Sequence, residues 1–286
     1  MKRIAIVSLA LLAAACSSNG GSAPSGPGPA THLALTLPAD LNAGVAAIGD
    51  VLALDAKGAT ATSYAGSVKL TSTDTTGTVP ATVAMAAGHG TFPVTFASLG
   101  AATVSAADSA NASIAGTATV QVHGLVYTDP STTGAVKLVR NADFSSASLV
   151  QLDLVAGKAV PAGFAVGMNL PLDTSRVGLF ATPLVEGNVF NPGAAPKAEA
   201  IRLAAGVLYS GLSQKAGGAG AVAHDVAVSA GGIYYSVRVA LAPGAAVGTV
   251  FDGSARMPGF RAAVRDLLGN DAVGQSDFAV GKLEVR

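Results

Sequence analysis

Residues 32 to 123 alternate apolar and polar positions in short runs, each closed by turn-forming residues. The runs are "LALTL" (33–37), "VLALDA" (51–56), "GSVKLTS" (66–72), "TFPVTF" (91–96), "ATVSAAD" (102–108) and "GTATVQV" (116–122). In the last, Thr117, Thr119 and Gln121 alternate with Ala118, Val120 and Val122. A period of two puts one face of a strand in water and the other in a core. Residues 55–58 and 108–111 carry the Asp, Asn and Gly of turns. Short strands at this spacing predict an all-β sandwich of about 100 residues.

Residues 124 to 286 predict a second, larger sandwich. Its candidate strands are "AVKLVR" (135–140), "SLVQLDLVA" (148–156), "GFAVGMNLPLD" (163–173), "GVLYSGLSQ" (206–214), "IYYSVRVAL" (233–241) and "DFAVGKLEVR" (277–286). In the fifth, Tyr235, Val237, Val239 and Leu241 fall on one face, with Tyr234, Ser236 and Arg238 on the other. Two segments carry a competing period. "PKAEAIRLAAG" (196–206) reads as a short helix, with Pro196 at its start and Gly206 past its end. "PGFRAAVRDLLGN" fits helical spacing through Phe260, Ala263, Val264, Leu267 and Leu268. It also alternates through Phe260, Ala262 and Val264 into a turn, and its β neighbours favour that strand.

The first thirty residues follow a different logic. Met1, Lys2 and Arg3 are basic at the start, Ile4 to Ala15 hold no charge, and Cys16 is the chain's one cysteine. A basic start, an apolar stretch and small residues before a cut describe an export signal. The apolar stretch is too short to span a bilayer, which takes about 20 residues. Leu12-Ala13-Ala14-Ala15-Cys16 resembles the signal of bacterial lipoproteins, although Ala13 stands where that family prefers Leu and Leu12 falls one place early. The resemblance implies cleavage before Cys16 and a diacylglyceryl group on its thiol. Ser17, in place of Asp, resembles an outer-membrane address. The expected organisation is a signal peptide over 1–15, a flexible Gly/Ser/Pro tether over 16–31, and sandwiches over 32–123 and 124–286.

The order of pieces in 32–123 is similar to the bacterial immunoglobulin-like modules of surface proteins. That likeness implies a spacer or adhesive role and brings no catalytic residue. "SLVQLDLVA" followed by "GFAVGMNLPLD" distantly resembles the opening strands of cohesin-like sandwiches.

Composition narrows the function classes. Charged residues make up 12 % of the chain, and 17 basic side chains balance 17 acidic ones, so no basic field exists to attract nucleic acid. Thirteen basic and twelve acidic residues fall after position 123, against two and five between 32 and 123. The mean hydropathy of +0.50 comes from Ala, Val and Gly spread along the chain.

Candidate chemistry is sparse. Gly211-Leu212-Ser213-Gln214-Lys215 lacks the closing Gly of a hydrolase elbow. Gly157-Lys158 and Gly281-Lys282 lack the hydroxyl of a phosphate loop. His32, His89, His123 and His224 show no metal-ligand spacing, although a sandwich could bring His32 and His123 together. Asp266, Asn270, Asp271 and Asp277 are of the type calcium uses, yet equally the residues of turns. With no Trp, an aromatic platform for sugars would fall to tyrosine, and of Tyr234 and Tyr235 one ring is expected exposed and the other in the core, which disfavours a dedicated carbohydrate module. No catalytic residue, metal site or cofactor is expected. The reading is a lipid-anchored, non-enzymatic envelope protein of the outer membrane that adheres, spaces or binds a protein or glycan partner. The alternative is a carbohydrate- or ligand-binding lipoprotein acting through its second sandwich, and an envelope hydrolase comes third.

Overall fold

A computed structural model describes residues 26–187, 189–190, 197–214, 224–255 and 257–286. Signal residues 1–15, Cys16 and the first part of the expected tether lie outside them. The fold is all-β.

The first eight strands are β1 (His32–Thr36), β2 (Asp40–Asn42), β3 (Ala46–Leu54), β4 (Gly66–Ser72), β5 (Thr82–Met85), β6 (His89–Thr95), β7 (Gly100–Asp108) and β8 (Ala115–His123). They form two sheets, β1-β3-β6 and β2-β8-β7-β4-β5. Alternation makes the layers: β4 buries Val68 and Leu70 and leaves Lys69 and Thr71 in water. Phe92, Val94, Phe96, Val104 and Val122 meet between the sheets in one apolar core. The end of the expected tether is held against it. The Gly28 N–H donates to Asp55 Oδ2 at 2.8 Å and the Thr31 N–H to the Leu54 carbonyl at 2.8 Å.

The chain continues through β9 (Leu125–Thr128), β10 (Val136–Asn141), β11 (Leu149–Ala156), β12 (Val160–Gly163) and β13 (Ala165–Pro171). Next come β14 (Val177–Glu186), β15 (Lys197–Ala204), β16 (Val207–Gln214), β17 (Val226–Val228) and β18 (Ile233–Leu241). The last five are β19 (Gly248–Asp252), β20 (Arg261–Arg265), β21 (Asp271–Val273), β22 (Phe278–Ala279) and β23 (Lys282–Val285). Two five-stranded sheets, β14-β18-β11-β10-β22 and β15-β16-β13-β20-β21, enclose a second core. Tyr235 of the one sheet and Ser210 of the other join hydroxyls across it at 2.9 Å. A third sheet, β19-β23-β9, brings the end of the chain beside the start of this unit. There Gly124 and Arg286 exchange backbone bonds, both of 3.0 Å.

Three expectations change. The 196–206 segment is not a helix: Lys197 to Ala204 pair residue for residue with β16, so the ladder overrides a mild helical preference. The strand expected over 277–286 breaks in two at Val280 and Gly281. Gly281 packs against the Thr128 carbonyl, an approach that any Cβ would block, and its N–H donates to Tyr127 Oη at 2.8 Å. Tyr234 and Tyr235 do not divide between faces. The register shifts there by one residue, leaving Tyr234 as the extra residue of a bulge, and both rings are fully buried. The strand favoured for 258–270 forms as β20, followed by the turn at 266–270.

Candidate binding faces

The residues singled out for chemistry disperse. Gly116, near the start of β8, packs against the Leu33 carbonyl beside His32. His123 lies seven residues along that strand, about 23 Å away at 3.3 Å per residue, so the two histidines are not brought together. His123 Nε2 instead lies 3.0 Å from Asp40 Oδ1, and His89 Nε2 lies 3.2 Å from Asp50 Oδ1. Among the described residues no group of three His, Cys, Asp or Glu side chains could hold a metal ion.

The carboxylates hold turns. Asp266 accepts from the Asn270 side chain at 2.9 Å and from the Leu268 and Asn270 N–H groups at 2.9 and 2.8 Å. The Asn270 side chain leads in holding its carboxyl below the ordinary aspartate range. Asp271 faces Arg265 across the β20–β21 hairpin at 3.4 Å. In the first sandwich, buried Asp74 joins two loops. Its Oδ1 takes the N–H groups of Thr76 and Gly77 with the Thr76 and Ser98 hydroxyls; its Oδ2 takes those of Ala97 and Ser98. Burial pushes this carboxyl up, and the bonds, led by Ser98 and Ala97, pull it further down, to well below its ordinary value.

Two outer faces of the second sandwich are built differently. On the β11–β18 sheet, Gln151 and Asp153 point away from the apolar core yet are buried. Gln151 Nε2 donates to Asp153 Oδ1 at 3.0 Å, Asn141 Nδ2 donates to Asp153 Oδ2 at 2.8 Å, and Arg238 Nε donates to Gln151 Oε1 at 2.8 Å. The chain after β10 folds back over this network. The Ser145 hydroxyl accepts from the Gln151 N–H at 3.0 Å, and the Phe144 ring lies 5.7 Å from the Arg238 guanidinium. Opposite Arg238, β14 bulges between Leu179 and Leu184, bringing Thr182 Oγ1 to within 3.2 Å of Arg238 Nη1.

The β16–β13–β20 sheet instead leaves its outer face open. Pairing aligns Ala200, Gly211, Gly167 and Ala263 in one row across four strands. On one side runs the row Arg202, Tyr209, Asn169, Arg261; on the other Ala198, Ser213, Ala165, Arg265 and Asp271. The small central row makes the floor of a trough of about 600 Å³, whose walls include Asn169, Arg261, Ser213, Arg265 and Gln275. A Cβ built on Gly167 would meet nothing closer than the Ser210 carbonyl, at 3.8 Å. Gly167 is therefore not demanded by packing. Arg202 is committed to the Tyr209 ring at 5.1 Å, whereas Arg261 Nη1 donates only to the neighbouring Phe260 carbonyl at 2.7 Å.

None of these trough residues was singled out in the sequence. A usable signal was there: "GFAVGMNLPLD" and "GVLYSGLSQ" each carry a mid-strand glycine, which weakens a strand and marks a close approach or an open face.

No protein-family model matches the chain, and no curated protein matches it. Among solved structures, a beta-glucuronidase from glycoside hydrolase family 2 superposes with a TM-score of 0.29 at 14 % identity, over 75 % of this chain and 30 % of that one. Domains 5–6 of the S-layer protein SbsC superpose at 0.25 and 16 %, over 72 % and 95 %. The Escherichia coli adhesin FdeC superposes at 0.27 and 15 %, over 71 % and 65 %. The chain thus spans under a third of the glucuronidase. What it does has to be read from its own residues.

Proposed function

We propose that this chain is a lipid-anchored envelope lipoprotein whose two sandwiches, immunoglobulin-like and then cohesin-like, form a non-enzymatic adhesion or partner-binding module. Attachment runs through Cys16, whose acyl chains would each add about 0.8 kcal/mol of membrane affinity per buried methylene. The observation that carries the binding role is the contrast between the acidic groups and the open face. Asp55, Asp252 and Asp266 spend their oxygens on the N–H groups of their own turns, and Asp74 spends its oxygens on those of the two loops it joins, as a scaffold does. Meanwhile the second sandwich keeps an open, polar-walled trough. A spacer at the membrane side with the recognising unit beyond it is the arrangement we infer.

Two experiments test this. Cys16→Ser should abolish incorporation of labelled fatty acid and release the protein from membranes; full membrane retention without label would refute the anchor. Deleting residues 124–286 should abolish capture of envelope partners in cross-linked cells while leaving the remainder anchored; undiminished capture would refute the assignment of binding to the second sandwich.

A further inference from the structure

We propose that β15, the free edge of the β15-β16-β13-β20-β21 sheet, is a self-association site where a second copy of this chain adds its own β15 in antiparallel register. The inference is independent of the anchor and of the partner the module captures. Edges in β proteins are blunted by short strands, bulges, proline or closure against a neighbour. Among the described residues every other edge carries such a device. β2, β5, β9, β12, β17, β21 and β22 run four residues or fewer, and β14 and β19 break register. β6 carries Pro93, and β8 meets β1 where Gly116 packs on the Leu33 carbonyl. β15 has none of these. Its eight residues pair with β16 without a shift and include neither glycine nor proline.

The hairpin that ends β15 fixes which backbone groups are free. Ala205 and Gly206 both take left-handed φ, 49° and 74°, as in the two-residue turn whose flanking residues form a hydrogen-bonded pair. Ala204 and Val207 are that pair, so Arg202, Ala200 and Ala198 also bond to β16. The N–H and C=O groups of Glu199, Ile201 and Leu203 therefore point off the free edge. Among the described residues nothing pairs with them. A row of donors and acceptors repeating every second residue is matched by the backbone of another extended polypeptide.

The side chains of β15 select which polypeptide. Ile201 and Leu203 face inward, half-buried where the second core reaches the edge, and require an apolar neighbour. Ala198, Ala200 and Arg202 are exposed on the other face, where Arg202 requires a neighbour without positive charge. A reversed copy of β15, with the two-fold axis at Ile201, meets both demands. Ile201 then lies opposite the second copy's Ile201, Arg202 opposite its Ala200, and Glu199 opposite its Leu203. Slipping the pair by two residues sets Ile201 against Glu199 in one direction. In the other it sets Arg202 against Arg202, like charges directly opposed. A slip of one residue would turn the copy's apolar side chains to the wrong face. The pairing is isologous, so it consumes both edges and stops at two copies. It joins two five-stranded sheets into one, with their outer troughs side by side on the same face.

The test is the mass of the full chain by sedimentation equilibrium in density-matched detergent. The wild type should approach the mass of two chains as its concentration rises, and Glu199→Pro should raise the dissociation constant at least about tenfold. Proline there removes an N–H that the ladder to β16 does not use, and an edge strand tolerates it. The far-ultraviolet spectrum of Glu199→Pro should therefore match that of the wild type. Register is read separately. Ala200→Cys and Arg202→Cys would face each other across a non-hydrogen-bonded pair, close enough for a disulfide. Oxidation should crosslink a mixture of the two variants more than either variant alone. A single-chain mass at every concentration would overturn the proposal, and undiminished dimers of Glu199→Pro would overturn its location. Mass growing beyond two copies, or equal crosslinking of mixed and separate variants, would overturn the two-fold pairing. If Glu199→Pro loses the strand spectrum, the mixed crosslink decides the location, and its absence overturns it.

Discussion

The two sandwiches use the same layering and treat their outer faces in opposite ways. In the first, strands such as β4 and β6 alternate cleanly, with Ser67, Lys69, Thr71, His89 and Thr91 left in water. In the second, β11 buries five consecutive residues, Val150 to Leu154, and β18 buries Tyr234 to Val237. A central strand covered on both sides means that something lies over its outer face, and here that is the Gln151–Asp153–Arg238 network under the chain after β10. The neighbouring trough shows the reverse, an outer face kept bare by glycine and alanine. The difference teaches where to look for function: both units spend carboxylates on their own turns, while the second also buries polar groups on the outer face of a sheet.

The comparison can be broken most sharply at the end of the chain. β23 is the middle strand of its sheet and carries fully buried Leu283 and Val285. Removing Lys282–Arg286 should therefore unfold the second sandwich and leave the first intact. Calorimetry should show one of two transitions lost; loss of both would mean the cores are not separable. Leu154→Ala, at a fully buried position, should cost about 4 kcal/mol by transfer and cavity, and only the second transition should move.

Asp74→Asn is the mirror experiment in the first unit. It replaces an acceptor of six bonds by an amide whose NH₂ would face the Ala97 and Ser98 donors, at a cost of about 3 kcal/mol. The sign of its pH dependence follows from a folded value depressed below the ordinary 3.8. The Asp74 contribution is fully present above that pH and is lost as the pH falls through the folded value. Acid should thus lower the first transition below about pH 4 in the wild type and less so in Asp74→Asn. Unchanged acid sensitivity would remove Asp74 from the account.

Arg238→Met leaves the buried Gln151 Oε1 without its donor and should cost about 2 kcal/mol, seen in the second transition alone. Thr119→Val breaks only the exposed 3.0 Å contact to Thr103 and should shift stability by no more than about 0.5 kcal/mol. A larger effect would show that the outer face of the first unit is not the plain solvent face drawn here.

How legible each region was in the sequence follows the same divide. β4 and β18 match their expected runs end to end, because strong alternation or a run of β-branched and aromatic residues survives any tertiary setting. Short strands such as β2, β5, β17 and β21, three or four residues each, escaped notice. Too few residues lie in them to establish a period, and they exist because a neighbouring ladder recruits them. The trough was only half legible, for another reason. Gly167 and Gly211 stand out as mid-strand glycines, but they and Ala263 become a floor only when β16, β13 and β20 pair in one register.

Local pattern, by itself, determined the all-β character, most of the long strands and the concentration of charge after residue 123. Those properties depend on side-chain period and composition, which are written residue by residue. Tertiary structure alone decided that 197–204 is a strand, that both Tyr234 and Tyr235 are core, and that three distant glycine- and alanine-bearing segments make one open face. These outcomes depend on register between strands far apart in the chain. A bulge or a shift of one residue moves a side chain from core to surface, and no local pattern records where such a shift falls.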